Sequence, residues 1–298
     1  MRVSLDWLAE YITLPTDDVA VIREAFESLG HEVEGIEHLS ADWTEVVIAE
    51  VVSVEPHPDA DKVRLCQVVY DSARTPVDVV CGAWNFDVGA VVPFAKPGAV
   101  LPGGFEIGTR KIRGVESNGM ICSERELGLG EDAAGILVLD ADAPVGAEFA
   151  EYVALPDVVF DLAITPNRPD AMSMLGIARD LSAYFEVPYA MSEPELPTVP
   201  GTPSTTVEIQ DPTGCLRFTG REIQDLAIGP SPFWMRQRLR AAGVRAISNA
   251  VDVTNNVMLA VGPPLPSFDG ERIVGEHLVG RRAGMGETVS SLDGVGRS

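Results

Sequence analysis

Hydrophobic positions along the chain repeat with two periods, and the switches between them divide the sequence. In "VSLDWLAEYITLP", Leu5, Leu8 and Ile12 fall on one helical face. In "TDDVAVIREAFESLGHEV", Val19, Ile22, Phe26 and Leu29 form one stripe. This predicts a helix with Thr16 as N-cap, Asp17 and Asp18 in the first turn and Gly30 as C-cap. From Glu45 to about Ala147 the period shortens to two. "EVVIAEVVSVEP", "KVRLCQVVYD", "VDVVCGA", "VVPFAKPGAVL" and "GILVLD" read as strands parted by Gly, Pro and Asp turns. Short strands at this spacing predict a small closed barrel. Within "PHPDADKVRLCQVVYD", Pro56 and Pro58 are expected outside any regular ladder, as a rigid turn before a strand that starts near Val63.

The helical period returns in "TPNRPDAMSMLGIARDLSAYFEVP", where Met174, Ile177, Leu181 and Tyr184 share a face and Asp170 is placed to cap. The barrel therefore reads as inserted between two parts of one domain. "MSEPELPTVPGTPS" has many prolines and no apolar period, the signature of a semi-rigid linker. Beyond it come a strand, "TTVEIQ", and a helix, "SPFWMRQRLRAAG", with Ser231 as N-cap and Gly243 at its end. Asp293-Gly294 signals a hairpin with almost no second strand after it. The predicted class is an α+β multidomain protein. Residues 1–40 and 150–190 form an N-terminal α/β domain, 41–149 the barrel, 191–204 the linker and 205–298 an incomplete α/β domain.

Composition narrows the chemistry. The 298 residues are 46% hydrophobic, enough for real cores, and no apolar run is long enough to span a membrane. Cys66, Cys81, Cys122 and Cys215 stand far apart, so buried thiols in a reducing cytoplasm are expected rather than a zinc site. His31, His38, His57 and His277 lack ligand spacing and read as surface or loop residues. There is no phosphate-cradling glycine loop and no GxSxG. "TPNRPD" reads as a turn in which Asn167 and Asp170 bond nearby amides.

The net charge of −23 repels phosphate backbones, so nucleic-acid contact requires a local basic patch. Such acidity also fits a general adaptation of a host proteome. The barrel does carry a basic set: Lys62, Arg64, Lys96, Arg110, Lys111, Arg113 and Arg125, diluted by Glu106, Glu116, Glu124 and Glu126. Lys62 and Arg64, two apart on a strand, share a face. Spacing alone leaves nucleic-acid binding and an ordinary solvated face both open.

Six blocks in order carry a family resemblance. Among them are "SLDWLAEYITLP", "VVIAEVVSVEPHPDADKVRLCQV", "KIRGVESNGMICSERELGL" and "ITPNRPDAMSMLGIARDLSAYFEVP". Together they resemble the β subunit of bacterial phenylalanyl-tRNA synthetase. The resemblance implies that the barrel is an OB-fold tRNA-binding module. Its RNA contacts would be Lys62, Arg64, Arg110, Lys111 and Arg113, acting by charge on the backbone. It further implies a catalytic α subunit as partner in an α2β2 enzyme. ATP and Mg²⁺ are then used by that holoenzyme, and no cofactor is held by this chain. The family's editing region is matched at Asn249, Thr254, Asn255 and Asp269, but Asn256, Pro263 and Pro266 replace its tyrosine, glutamine and histidine. The chain is thus expected to hold no catalytic centre of its own, and to be a fragment or a degenerate, truncated relative. The rival expectation is a non-catalytic module that binds tRNA or protein outside translation.

Overall fold

The computed structural model describes residues 1–130, 133–191, 193, 201–291 and 294–297. Most of the expected linker, and Asp293 of the expected hairpin, lie outside the described residues.

The chain opens with β1 (Arg2–Ser4), α1 (Leu5–Leu8), α2 (Val19–Ser28) and β2 (Glu32–Leu39). The Ser4 hydroxyl accepts from the Trp7 amide at 3.1 Å, which starts α1. Helix α2 is capped by Asp18, which accepts from the Ala20 amide, and not by Thr16. The Thr16 hydroxyl is taken up by the Asp18 amide at 3.0 Å, so the cap lies two residues later than expected and the helix starts at Val19, with its stripe. Gly30 ends the turn after α2 at φ +85°.

A run of strands follows: β3 (Val46–His57), β4 (Ala60–Val69), β5 (Val77–Cys81), β6 (Val91–Ala95), β7 (Val100–Leu101), β8 (Phe105–Glu106), β9 (Thr109–Ile112), β10 (Val115–Asn118) and β11 (Met120–Ile121). Five of them form an antiparallel sheet in the order β11-β6-β3-β4-β5. No ladder joins β11 back to β5 among the described residues. Instead the β9–β10 hairpin stands beside β5, where the Val80 amide donates to the Ser117 hydroxyl at 3.0 Å.

Strand β3 opens with four apolar residues, 46–49, because both of its faces are covered there. Val46 and Ile48 enter one core with Leu101, Cys122 and Phe149; Val47 and Ala49 enter another with Cys66, Phe94 and Ile136. Pro56 stands opposite Arg64 within the β3–β4 pairing, not in a turn before it. It fits because the register shifts between Pro56 and His57; Pro58 and Asp59 make the turn. "GILVLD" makes no ladder, although Leu137 and Leu139 donate to Cys122 and Val91.

Helix α3 (Phe149–Tyr152), strand β12 (Asp157–Ala163) and helix α4 (Met174–Phe185) come next. Strand β12 sits between β1 and β2, with Asp157 opposite Leu39. The chain therefore leaves this three-stranded sheet at Leu39 and re-enters beside it. Asp157, buried, holds the junction by accepting from the Ser4 hydroxyl at 2.6 Å and the Asp6 amide at 3.0 Å. Trp7, Ile22, Phe26, Phe160, Met174 and Leu181 fill the core between sheet and helices. Ser173 caps α4, because the Asp170 carboxylate is taken up by the Arg168 and Arg179 guanidiniums. Two histidines differ from the surface reading. His31 is buried against Asp180 at 2.9 Å. His57 is buried too, accepting from the Asp59 amide at Nδ1, with Nε2 3.3 Å from the Ile112 carbonyl.

The last elements are β13 (Thr206–Ile209), α5 (Phe233–Ala241), α6 (Asn249–Val261), β14 (His277–Gly280), β15 (Val289–Ser290) and β16 (Gly296–Arg297). Two compact units result, Met1–Met191 with Pro230–Leu265, and Ser192–Gly229 with Pro266–Ser298. Helices α5 and α6 bury their apolar faces in the first unit. There Phe233 packs with Phe149, and Ala260 joins Trp7 and Ile177. Pro232, not Ser231, stands at the N-cap of α5. The Ser231 hydroxyl is used up at 2.5 Å by the buried Asp252 of α6.

In the second unit β13 pairs with β14 in parallel and β15 with β16 antiparallel. No described residue of this unit is among the buried apolar residues of the chain, and Leu216, Ile223, Val274 and Met285 lie open. Its own contacts are polar, such as Arg282 to Asp211 at 2.6 Å and His277 to Glu208 at 3.0 Å.

Candidate nucleic-acid interface

Strands β9 and β10 pair with Glu116 opposite Lys111 and Ser117 opposite Arg110. Arg113 and Gly114 turn the corner at φ +49° and +88°. Positive φ at both positions twists a two-residue turn to match its strands, a geometry that favours Gly or Asn. Arg113 adopts it nonetheless, which sets an exposed guanidinium at the hairpin tip. Arg110 and Lys111 are exposed as well. His57 brings the β3–β4 turn against Ile112 of this hairpin, and Lys62, just beyond that turn, is exposed. Four of the five expected cations thus lie on two neighbouring, solvent-facing hairpins.

Arg64 does not join them. It is 6% exposed, and its guanidinium donates to the carbonyls of Ala83 (3.2 and 2.9 Å) and Phe86 (3.0 Å). The same group lies 4.4 Å from the Phe86 ring centroid and 5.0 Å from that of Trp84. Arg64 therefore fixes the loop after β5 rather than facing solvent. Lys96 is held by Glu45 at 2.5 Å, and the hydrogen bond it donates to that carboxylate, more than any other cause, raises its pKa.

Two aromatic residues absent from the sequence expectations stand here. Trp84 is 62% exposed and Phe105 49% exposed, with the Arg110 guanidinium 5.6 Å from the Phe105 centroid. The signal was a tryptophan in the turn "CGAWNF" and a phenylalanine between two glycines and a glutamate, places where a core aromatic is out of context.

Asn249, Thr254 and Asn255 lie on α6, whereas Asp269 belongs to the other compact unit and caps a short 3₁₀ turn there. The Thr254 hydroxyl donates to its own helix at the Val251 carbonyl. Among the described residues no group of three or more His, Cys, Asp or Glu side chains is placed to hold a metal ion, and no helix is long and apolar enough to cross a membrane.

Comparison with known proteins defines the class first. Residues 46–148 match the family described as a putative tRNA binding domain, and residues 214–298 match the B3/4 domain. The chain is a mixed α/β protein that joins these two domains. It is 42% identical over 300 residues to the phenylalanine–tRNA ligase beta subunit of Anaeromyxobacter dehalogenans, covering 100% of this chain and 37% of that protein. The corresponding subunit of Syntrophus aciditrophicus is 42% identical over 98% of the chain and 36% of its own length. That of Moorella thermoacetica is 43% identical over 100% and 38%. The chain is a homologue of phenylalanine–tRNA ligase beta subunits, and it spans somewhat over a third of the length of these relatives. A solved structure, the C-terminal domain of Plasmodium vivax p43, overlaps 34% of the chain at 21% identity and a TM-score of 0.25.

Proposed function

We propose that this chain binds tRNA through its 46–148 region and so supports the attachment of phenylalanine to tRNA. The carrying observation is the identity of about 42% along the whole chain to phenylalanine–tRNA ligase beta subunits. The exposed cations Lys62, Arg110, Lys111 and Arg113 support the reading from physical grounds. They make a local basic surface on a protein of net charge −23, where phosphate would otherwise be repelled. Their contacts go to the backbone, positioning RNA without reading its sequence. The five-stranded sheet with its flanking hairpins is taken here as an OB-type barrel, whose sheet face and bordering loops suit single-stranded RNA.

In this reading a catalytic α subunit is the partner. ATP and Mg²⁺ are used there, and this chain supplies RNA-binding surface, not reacting groups. Asn249, Thr254, Asn255 and Asp269 are remnants of an editing pocket, with Pro266 unable to replace an imidazole donor. The test is retention of tRNA by the purified chain at moderate salt in the presence of duplex DNA as competitor. Selective retention supports the reading. Equal loss to the competitor rejects it in favour of nonspecific charge or a protein-docking role.

A further inference from the structure

A groove of about 650 Å³ runs between the end of β5, the β7–β8 hairpin and the segments 120–126 and 133–136. Leu101 and Met120 give it an apolar floor, and Phe105 and Arg125 stand along it. Two latches fix its rim. Arg64 holds the Ala83 carbonyl, and the Asn85 side chain pairs with both the amide (3.0 Å) and the carbonyl (2.8 Å) of Ile136. Gly135 is needed beside that latch, since a Cβ there would fall 2.3 Å from Asn85. The acid in the groove, Glu126, is taken up by the Ser123 amide and hydroxyl at 2.7 and 2.8 Å.

The rim residue Ala83 leads directly into the exposed Trp84, backed on one side by the Arg64 guanidinium. Phe105 is likewise half-exposed, with Arg110 near its ring and Arg125 exposed along the same groove. An apolar ligand would make no use of the cations, and a free phosphate none of the open ring. A flat aromatic joined to phosphate uses both. Bases inside a duplex are already stacked and cannot reach such a ring.

We propose that this groove receives one unpaired nucleobase of the bound RNA, stacked on Phe105, with Arg110 and Arg125 at the adjoining phosphates and Trp84 beside the path of the strand. The inference rests on the tRNA-binding reading above and adds to it a stacking subsite for single-stranded RNA.

The test is titration of the full chain with a short single-stranded oligouridylate and with tRNA, comparing Phe105→Tyr, Phe105→Leu and Lys111→Glu. Stacking worth a few kcal/mol per base predicts about 5- to 100-fold weaker binding for Phe105→Leu, with an unchanged salt slope, and near-normal binding for Phe105→Tyr. Leucine keeps an apolar side chain, so a merely structural role would not separate the two variants. Trp84 fluorescence should change on oligonucleotide binding, and the change should vanish in Trp84→Phe. If Lys111→Glu weakens binding while Phe105→Leu and Phe105→Tyr both bind as the parent does, the subsite is overturned and the tRNA reading stands. If the parent chain binds neither RNA, both fall together.

Discussion

The Arg64 guanidinium meets the Ala83 carbonyl with two of its nitrogens, at 3.2 and 2.9 Å, in a site that is 6% exposed. A cation expected at an RNA surface thus serves its own protein first. Removing it leaves the Ala83 and Phe86 carbonyls without their donor, and buried acceptors stripped of a partner cost about 1–3 kcal/mol each. Arg64→Ala should therefore lower the unfolding free energy by about 2–4 kcal/mol, measured by denaturant titration. It should weaken RNA binding without changing the dependence of affinity on salt, because no phosphate contact is lost. Lysine in its place restores charge but not the fork that serves two carbonyls, so Arg64→Lys should recover little of that stability.

The Asn85–Ile136 pairing makes a separate prediction. Asn85→Ala leaves both backbone groups of Ile136 unpaired and should cost about 1–3 kcal/mol. Gly135→Ala should destabilise as well, through overlap of the new methyl with Asn85. In the double variant the overlap has nothing to strike, so the two losses should sum to more than the measured effect. Denaturation of the four proteins in this cycle checks it.

Thiol reactivity separates the cysteines. Cys66, Cys81 and Cys122 are buried, Cys215 only partly so. Burial, more than any neighbouring charge, raises all three buried thiols, Cys66 to about 11. At about pH 8 an aromatic disulfide reagent should titrate one thiol rapidly, and the rest only after denaturant is added. The sign of the pH effect follows. A thiol raised in the fold contributes stability that is whole below its ordinary range of about 8.5 and is lost as pH climbs toward 11. The unfolding midpoint should fall across that window, and Cys66→Ser should reduce the fall.

How far the sequence reveals all this depends on what each residue competes with. Strand β3 was located by its run of branched apolar residues, and β4 by alternation, because one face of β4 meets the core and the other is more open. The helical stripes of α2 and α4 came through for the same reason. Their caps did not: Asp18 and Ser173 took over where Thr16 and Asp170 were already bonded elsewhere. Alternation also put Lys62 and Arg64 on one face. It could not tell that two carbonyls contributed by the loop after β5 would draw one of them inward. Helix α5 was legible as a helix and α6 was not, and the packing of both in the first compact unit depends on contacts between residues as distant as Arg2 and Ala241. Phe105 and Trp84 carry no periodic signal, only their out-of-context place in turns, and their exposure in the fold is what singles them out.

Binding of tRNA is proposed to run through the cations of the β9–β10 hairpin and the neighbouring β4. Equilibrium binding of tRNA across a salt series tests it most directly, with the parent beside a Lys62→Glu, Lys111→Glu, Arg113→Glu variant. Binding by the parent should fall steeply with salt, and the variant should bind weakly with a shallower slope, by about one for each phosphate contact removed. Equal affinity and equal slope in the two proteins would contradict it, since the RNA would then lie on some other surface.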